Sequence, residues 1–205
     1  MGSKPPADPA YPGVLQKICA KVVIAGPLAV GKTSMIRALS EIKPLTTEET
    51  MTRAAADADS LADVQDKTTT TVASDFGRRT LDDKDGGLVL YLYGTPGQKR
   101  FRPLWRDISR GALGALVLVD SRRLGDSFEV MDMIEEQGLS YAVAFNKFPD
   151  SPDFHVDALR DALDLAPATP LVTCDARDTA SSLDALIALV EHLLADPSIP
   201  EGSPC

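Results

Sequence analysis

Apolar residues along this chain come in short runs, and stretches with helical spacing separate them. Residues 21–25 (Lys-Val-Val-Ile-Ala) form the first run, and 88–92, 115–119, 141–145 and 171–173 follow. Such near-continuous β-branched and aliphatic runs predict strands covered on both faces, hence a mostly parallel sheet. Residues 72–81 are polar and mixed and predict an edge strand. Between the runs, Met35, Ile36, Leu39 and Ile42 recur at helical spacing. So do Phe128, Met131 and Ile134, and Phe154, Ala158 and Leu165. Leu183, Leu186, Ile187, Val190, Leu193 and Leu194 give an amphipathic stripe. Strand–helix alternation predicts an α/β domain, doubly wound, with a mostly parallel six-stranded sheet and helices on both faces. Ligands in such folds bind at the carboxyl ends of the strands.

Residues 43–71 break the alternation. They are Thr-rich and acidic, with an Ala-rich stretch that predicts a short helix near 54–64. Connections this long are functional or mobile. The Pro-rich start predicts a disordered leader over 1–16, then the domain over 17–196 and a tail over 197–205.

Composition narrows the function. The chain has 205 residues and a formal charge of -9, so its surface repels nucleic-acid backbones and nucleic acid is not an expected partner. A phosphate site must then draw positive potential from backbone amides, a lysine and a metal. No apolar stretch reaches the roughly 18 residues of a membrane span, so direct membrane insertion is not expected. Cys19, Cys174 and Cys205 are odd in number and form no C-x-x-C pair, which predicts neither a zinc site nor a disulfide framework and fits a reducing, cytoplasmic setting.

Residues 26–33 read Gly-Pro-Leu-Ala-Val-Gly-Lys-Thr, a full G-x-x-x-x-G-K-[ST] match between a predicted strand and a predicted helix. Gly26 and Gly31 permit the tight turn. Together with Ala29, Val30 and Ser34 they make a cradle for phosphates at a helix N-terminus. Lys32 reaches the terminal phosphates, and the Thr33 hydroxyl ligates Mg2+. The motif indicates a nucleoside triphosphate without naming its base.

Further motifs follow the other runs. They are the Thr-rich 67–77 segment with Asp75-Phe76, Gly94-Thr-Pro-Gly97-Gln98, Asn146-Lys147 with Asp150, and the residues Cys174, Asp175, Ala176 and Arg177. Together with the phosphate loop they span roughly residues 20–195, and this ordered set resembles the Ras-like small GTPases. The 67–77 segment, 94–98, 109–112, 118–123 and 174–178 more closely resemble the conservon-encoded GTPases of actinobacteria.

The resemblance implies a P-loop G-domain, GTP and GDP as ligands, and Mg2+ held by Thr33 and Thr71, with Thr70 as the alternative. It implies a Gly97 amide on the γ-phosphate and a Gln98 that orients the attacking water. Asn146, Lys147 and Asp150 fall on the guanine box, and Cys174, Asp175 and Ala176 on the loop that contacts the guanine oxygen. Two positions depart from the general pattern. Gly94 replaces a magnesium-orienting Asp, a loss worth roughly 10–100-fold in metal affinity or activity; Asp120 and Asp75 are the carboxylates that could compensate. Pro149 displaces the base-reading Asp by one, so either the loop bulges to bring Asp150 to the base or guanine selectivity is weak. Arg100, Arg102, Arg106, Arg122 and Arg123 read as surface charge or as a cis arginine finger, and Trp105 as core or an interface anchor. By the same resemblance, the expected partners are a roadblock-type, dynein-light-chain-like regulator and a membrane sensor-kinase-like complex. The alternatives are a pseudo-GTPase scaffold and a P-loop small-molecule kinase.

Overall fold

The computed structural model describes residues 17–46, 75–83, 86–96, 102–152, 154–196 and 203–204. The expected leader, the Ala-rich helix near 54–64, Thr70, Thr71, Gly97, Gln98 and Arg100 lie outside the described residues, as does the tail apart from Ser203–Pro204.

In chain order the elements are β1 (Lys17–Ala25), α1 (Lys32–Leu39), β2 (Leu45–Thr46), β3 (Asp75–Asp83), β4 (Gly86–Gly94) and α2 (Arg102–Ser109). Then come β5 (Gly114–Val119), α3 (Gly125–Glu135), β6 (Tyr141–Asn146), α4 (Val156–Ala162), β7 (Leu171–Cys174), α5 (Thr179–Ala195) and β8 (Ser203–Pro204). The strand order is β2-β3-β4-β1-β5-β6-β7, with β8 on β1. Strands β4, β1, β5, β6 and β7 run parallel, while β3 is antiparallel to β4. The strands of four or more residues are the five that the apolar runs predict and the one predicted from the mixed 72–81 segment, and β2 and β8 are two-residue additions.

Side-chain parity explains why the sheet is wound on both faces. In β1, Val22 and Ile24 enter one core while Val23 and Ala25 enter the other. Leu116 and Leu118 of β5 oppose Ala115, Val117 and Val119 in the same way. The first core takes Met35, Ile36 and Leu39 from α1 and Ala185, Leu186, Leu189 and Leu193 from α5. The second takes Trp105 from α2, Val130, Met131 and Ile134 from α3, and Leu159 from α4. Each central strand therefore needs apolar residues at every position.

Several expectations shift. The predicted edge strand is β3, which starts at Asp75 and is flanked by β2 through Leu45–Phe76 pairing. Its mixed composition reflects half-burial of every residue from Asp75 to Leu81 except the buried Gly77. Helix α1 stops before Ile42, because the Ser40 hydroxyl bonds both backbone groups of Ile42 and the Arg78 amide. Phe154 and Ala158 are exposed, and the buried residues of that region are Leu159, Leu163 and Leu165. In α5 the stripe is rotated. Ile187 and Leu194 face outward, and Ala185 and Leu189 join Leu186 and Leu193 inside. Phe128 of α3 is likewise partly exposed.

The expectation of no disulfide is overturned. Cys19 is disulfide-bonded and Cys174 is buried and free. The tail strand accounts for this change, since Ser203–Pro204 pairs with Ile18–Cys19 and returns the end of the chain to β1. The sequence holds one further cysteine, Cys205, outside the described residues. Among the described residues no helix is long and apolar enough to cross a membrane.

Candidate nucleotide site

The carboxyl ends of β1, β4, β5, β6 and β7 lie along one rim of the sheet, and the motifs follow them. After β1 the chain turns through Gly26 at φ 143°, Ala29 at φ 63° and Gly31 at φ 109°. Only glycine fits the first and last positions. A β-carbon on Gly26 would stand 2.7 Å from the Leu118 carbonyl oxygen, and one on Gly31 would stand 2.6 Å from Asn146 Nδ2. Gly31 also caps α1, whose N-terminal amides and dipole favour an anion. Lys32 is buried and donates to the Gly26 and Pro27 carbonyls at 2.8 and 2.7 Å. Burial pulls its ammonium down to about 8, with the Asp75 carboxylate opposing that shift. A phosphate would offer this ammonium a stronger partner than neutral carbonyls.

Beside the loop a hydroxyl meets a carboxylate. Thr33 Oγ1 donates to Asp75 Oδ2 at 2.5 Å, across the gap between α1 and β3. A β-carbon on Gly94 would stand 3.1 Å from Asp75 Cβ and 3.0 Å from Ile36 Cδ1. The bare glycine on β4 thus leaves room for the Asp75 side chain beside the Thr33 hydroxyl. A hydroxyl beside a carboxylate is the hard-oxygen donor set that suits Mg2+ together with substrate phosphates. Asp120, the other candidate, points elsewhere. Thr95 and Pro96 lead out of β4. Trp105 is buried and donates its indole N–H to the Pro96 carbonyl at 3.3 Å, so it is core and holds the start of that segment against α2.

At the other end, Asn146 joins three segments. Its Nδ2 donates to the Val30 carbonyl and its Oδ1 accepts from the Ala176 amide, both at 2.9 Å. The Lys147 amide donates to the Cys174 carbonyl. The loop after β7 departs from expectation, because its amides are internally used. Asp175 N–H goes to Ser181 Oγ, Ala176 N–H to Asn146, and Arg177 N–H to Asp175 Oδ1. Ala176 therefore positions Asn146 and does not present a free donor to a base oxygen. Burial pushes the Cys174 thiol up to about 12, and this residue belongs to the core.

Pro149 resolves into a reverse turn. Ser151 N–H donates to the Phe148 carbonyl and Phe148 N–H to Ser151 Oγ, which brings Asp150 to the turn's third position. Asp150 meets Arg122, whose Nη1 donates to its Oδ1 at 2.5 Å. Arg122 also forks onto the fully buried Asp120, with Nε on Oδ1 at 2.9 Å and Nη2 on Oδ2 at 2.7 Å, and its guanidinium lies 4.0 Å over the Phe148 ring. Arg122 holds both the Asp120 and Asp150 carboxyls below the usual carboxylate range. Arg123 donates to the Leu28 carbonyl of the phosphate loop at 3.2 Å. Neither arginine is idle surface charge, whereas Arg106 is exposed. The sequence reading missed the partnership of Asp120, Arg122, Phe148 and Asp150. Its one local signal is an Asp closing a buried run two residues before an Arg.

A glycine-hinged loop on a parallel sheet, a buried lysine inside it and an asparagine that ties it to two later loops define a P-loop nucleotide-binding protein with Ras-like architecture. The chain belongs to the family described as "conserved hypothetical ATP binding protein", which matches residues 24–196. An uncharacterised protein of Methanocaldococcus jannaschii is 30% identical over 129 residues, 62% of this chain and 69% of that protein. The Dictyostelium discoideum Ras-related protein Rab-11C is 26% identical over 100 residues, 49% of this chain and 36% of that protein. A mouse Ras and EF-hand domain-containing protein homolog is 30% identical over 119 residues, 57% of this chain but 16% of that protein.

Proposed function

We propose that the protein is a guanine-nucleotide switch that binds GTP or GDP with Mg2+ and hydrolyses GTP slowly. The observation that carries this reading is the Asn146 bridge. It joins the phosphate loop at Val30 to the loop after β7 at Ala176, so the groups that hold phosphates and those beside the base move as one unit. A small-molecule kinase has no need of that connection.

In this mechanism the loop amides and Lys32 take the phosphate charge. Thr33 and Asp75 are the residues that would hold Mg2+, which neutralises charge on the terminal phosphates when bound. Gln98 orients the attacking water and Gly97 donates to the γ-phosphate. Thr71 is the further residue proposed to hold Mg2+. Positioning and electrostatics supply most of the acceleration in phosphoryl transfer. Turnover is slow without a partner, and a roadblock-type protein is the proposed activator. Recruitment from the cytoplasm to a membrane sensor-kinase-like complex is proposed on the resemblance alone.

A second reading, weak base selection with ATP also bound, draws on one observation: Arg122 engages the Asp150 carboxylate. Titration of GTP, GDP and ATP with and without Mg2+ separates the two, with Lys32→Ala as the control. The switch reading requires guanine nucleotides to bind more tightly than ATP and Mg2+ to strengthen GTP. Equal binding of ATP removes the guanine assignment. GTP hydrolysis that survives Gln98→Leu unchanged removes that residue's role.

A further inference from the structure

Base recognition needs donors where the base has acceptors, and the usual source is already spent. The amides of Asp175, Ala176 and Arg177 are all bonded internally. A guanidinium stands on the same rim. Arg122 uses three N–H groups, two on Asp120 and one on Asp150. An arginine side chain has five, so two remain. Its orientation is set from three sides, by the fully buried Asp120, by the Phe148 ring and by Asp150 at the turn. Asp150 engages Arg122 through one lone pair of Oδ1, which leaves Oδ2 and the rest of Oδ1 for further donors. Arg122 and Asp150 together form a linked donor and acceptor beside the base-side turn.

Resting on the nucleotide-binding reading above, we infer that Arg122 is the specificity-determining residue of this site, donating to the purine 6-position while Asp150 accepts from the purine N1 and 2-amino groups. A 6-oxo purine accepts such a bond. A 6-amino purine presents a donor to the guanidinium and is rejected. Asp120 is the positioning residue that aims the fork, and Phe148 is the flat surface beneath it. Arginine suits this task because its planar fork binds a carboxylate in two places and still offers donors at the rim.

The test compares GDP, IDP and ADP by calorimetry on the full chain, with inorganic pyrophosphate as the phosphate-only probe. IDP keeps the 6-oxo group and lacks the 2-amino group; ADP has neither. Wild type is expected to bind GDP over IDP and IDP over ADP. Arg122→Gln is expected to lose roughly 10- to 100-fold of the preference for IDP over ADP, the scale of one well-made arginine–base contact, with pyrophosphate affinity unchanged. Asp150→Asn keeps the Arg122–Asp120 fork and is expected to lose the preference for GDP over IDP while keeping part of that for IDP over ADP. The inference is overturned if Arg122→Gln retains the IDP preference, or if pyrophosphate binding falls in parallel with all three nucleotides. Wild type that fails to separate IDP from ADP also overturns it. A wild type that prefers ADP overturns the guanine reading itself, whereas a GDP preference untouched by Arg122→Gln overturns this assignment alone.

Discussion

The two ends of the site are built on different principles. At the phosphate end, recognition is a property of backbone shape. Gly26 and Gly31 hold positive φ angles, close neighbours exclude any β-carbon, and the loop then points into a helix N-terminus. At the proposed base end, the arrangement rests on side chains far apart in sequence. Arg122 meets Asp150 28 positions away, and Asn146 meets Val30 116 positions away. A backbone cradle accepts any triphosphate. A side-chain network of the proposed kind would select among bases and can be rebuilt with different residues.

The largest expected effect breaks the phosphate end alone. Lys32→Ala removes the one ammonium inside the loop and should weaken GDP and ADP alike, by about 100-fold or more, as loss of a preorganised charge-assisted donor does. Calorimetry on both nucleotides checks it, and a loss confined to one base would contradict the division drawn here. Next in size, Asp75→Asn should remove roughly 10–100-fold of the affinity that Mg2+ adds while leaving magnesium-free binding nearly unchanged. A titration of GTP across Mg2+ concentrations reads this out.

A third effect belongs to the base end and shows in stability. Arg122 depresses the pKa of buried Asp120. A carboxyl lowered in the folded state stabilises the fold above its unfolded pKa, and that contribution disappears as pH falls through the lowered value. Wild-type Tm should therefore drop on acidification below the ordinary carboxylate range. In Arg122→Gln, Asp120 keeps its burial and loses the guanidinium fork, with Arg123 at 3.8 Å as the cation left beside it, so its pKa rises and mild acidification should relieve the variant. Thermal melts between about pH 3 and pH 7 distinguish the two slopes. The smallest effect is expected at Arg177, paired with Asp175 in the open. Arg177→Ala should alter neither Tm nor base preference measurably, since exposed pairs contribute little.

These contrasts explain how much was legible in the sequence. The sheet was readable because β1, β5 and β6 feed two cores by parity and so need continuous apolar runs. The phosphate loop was readable because its glycines answer to local geometry. Helix faces were harder. Ile187 and Leu194 carry the right residue type on the wrong side of α5, and residue type alone does not reveal which face meets the sheet. Asp75 could be named as one of two substitutes for the carboxylate missing at Gly94. Choosing it over Asp120 required seeing Thr33 bonded to it and Arg122 on its rival. The Arg122 contacts were hidden because they join separate strand ends. The disulfide at Cys19 was hidden for the same reason, since β8 reaches β1 only through the fold.

The central claim is that Gly26 to Thr33 holds the phosphates of a guanine nucleotide. It is tested most directly by heat-denaturing the freshly purified protein and separating whatever nucleotide is released by ion-exchange chromatography. Wild type should release GDP or GTP, and Lys32→Ala should release none. ADP or ATP in its place, or a wild type that releases nothing and takes up no guanine nucleotide when supplied with Mg2+, would contradict it.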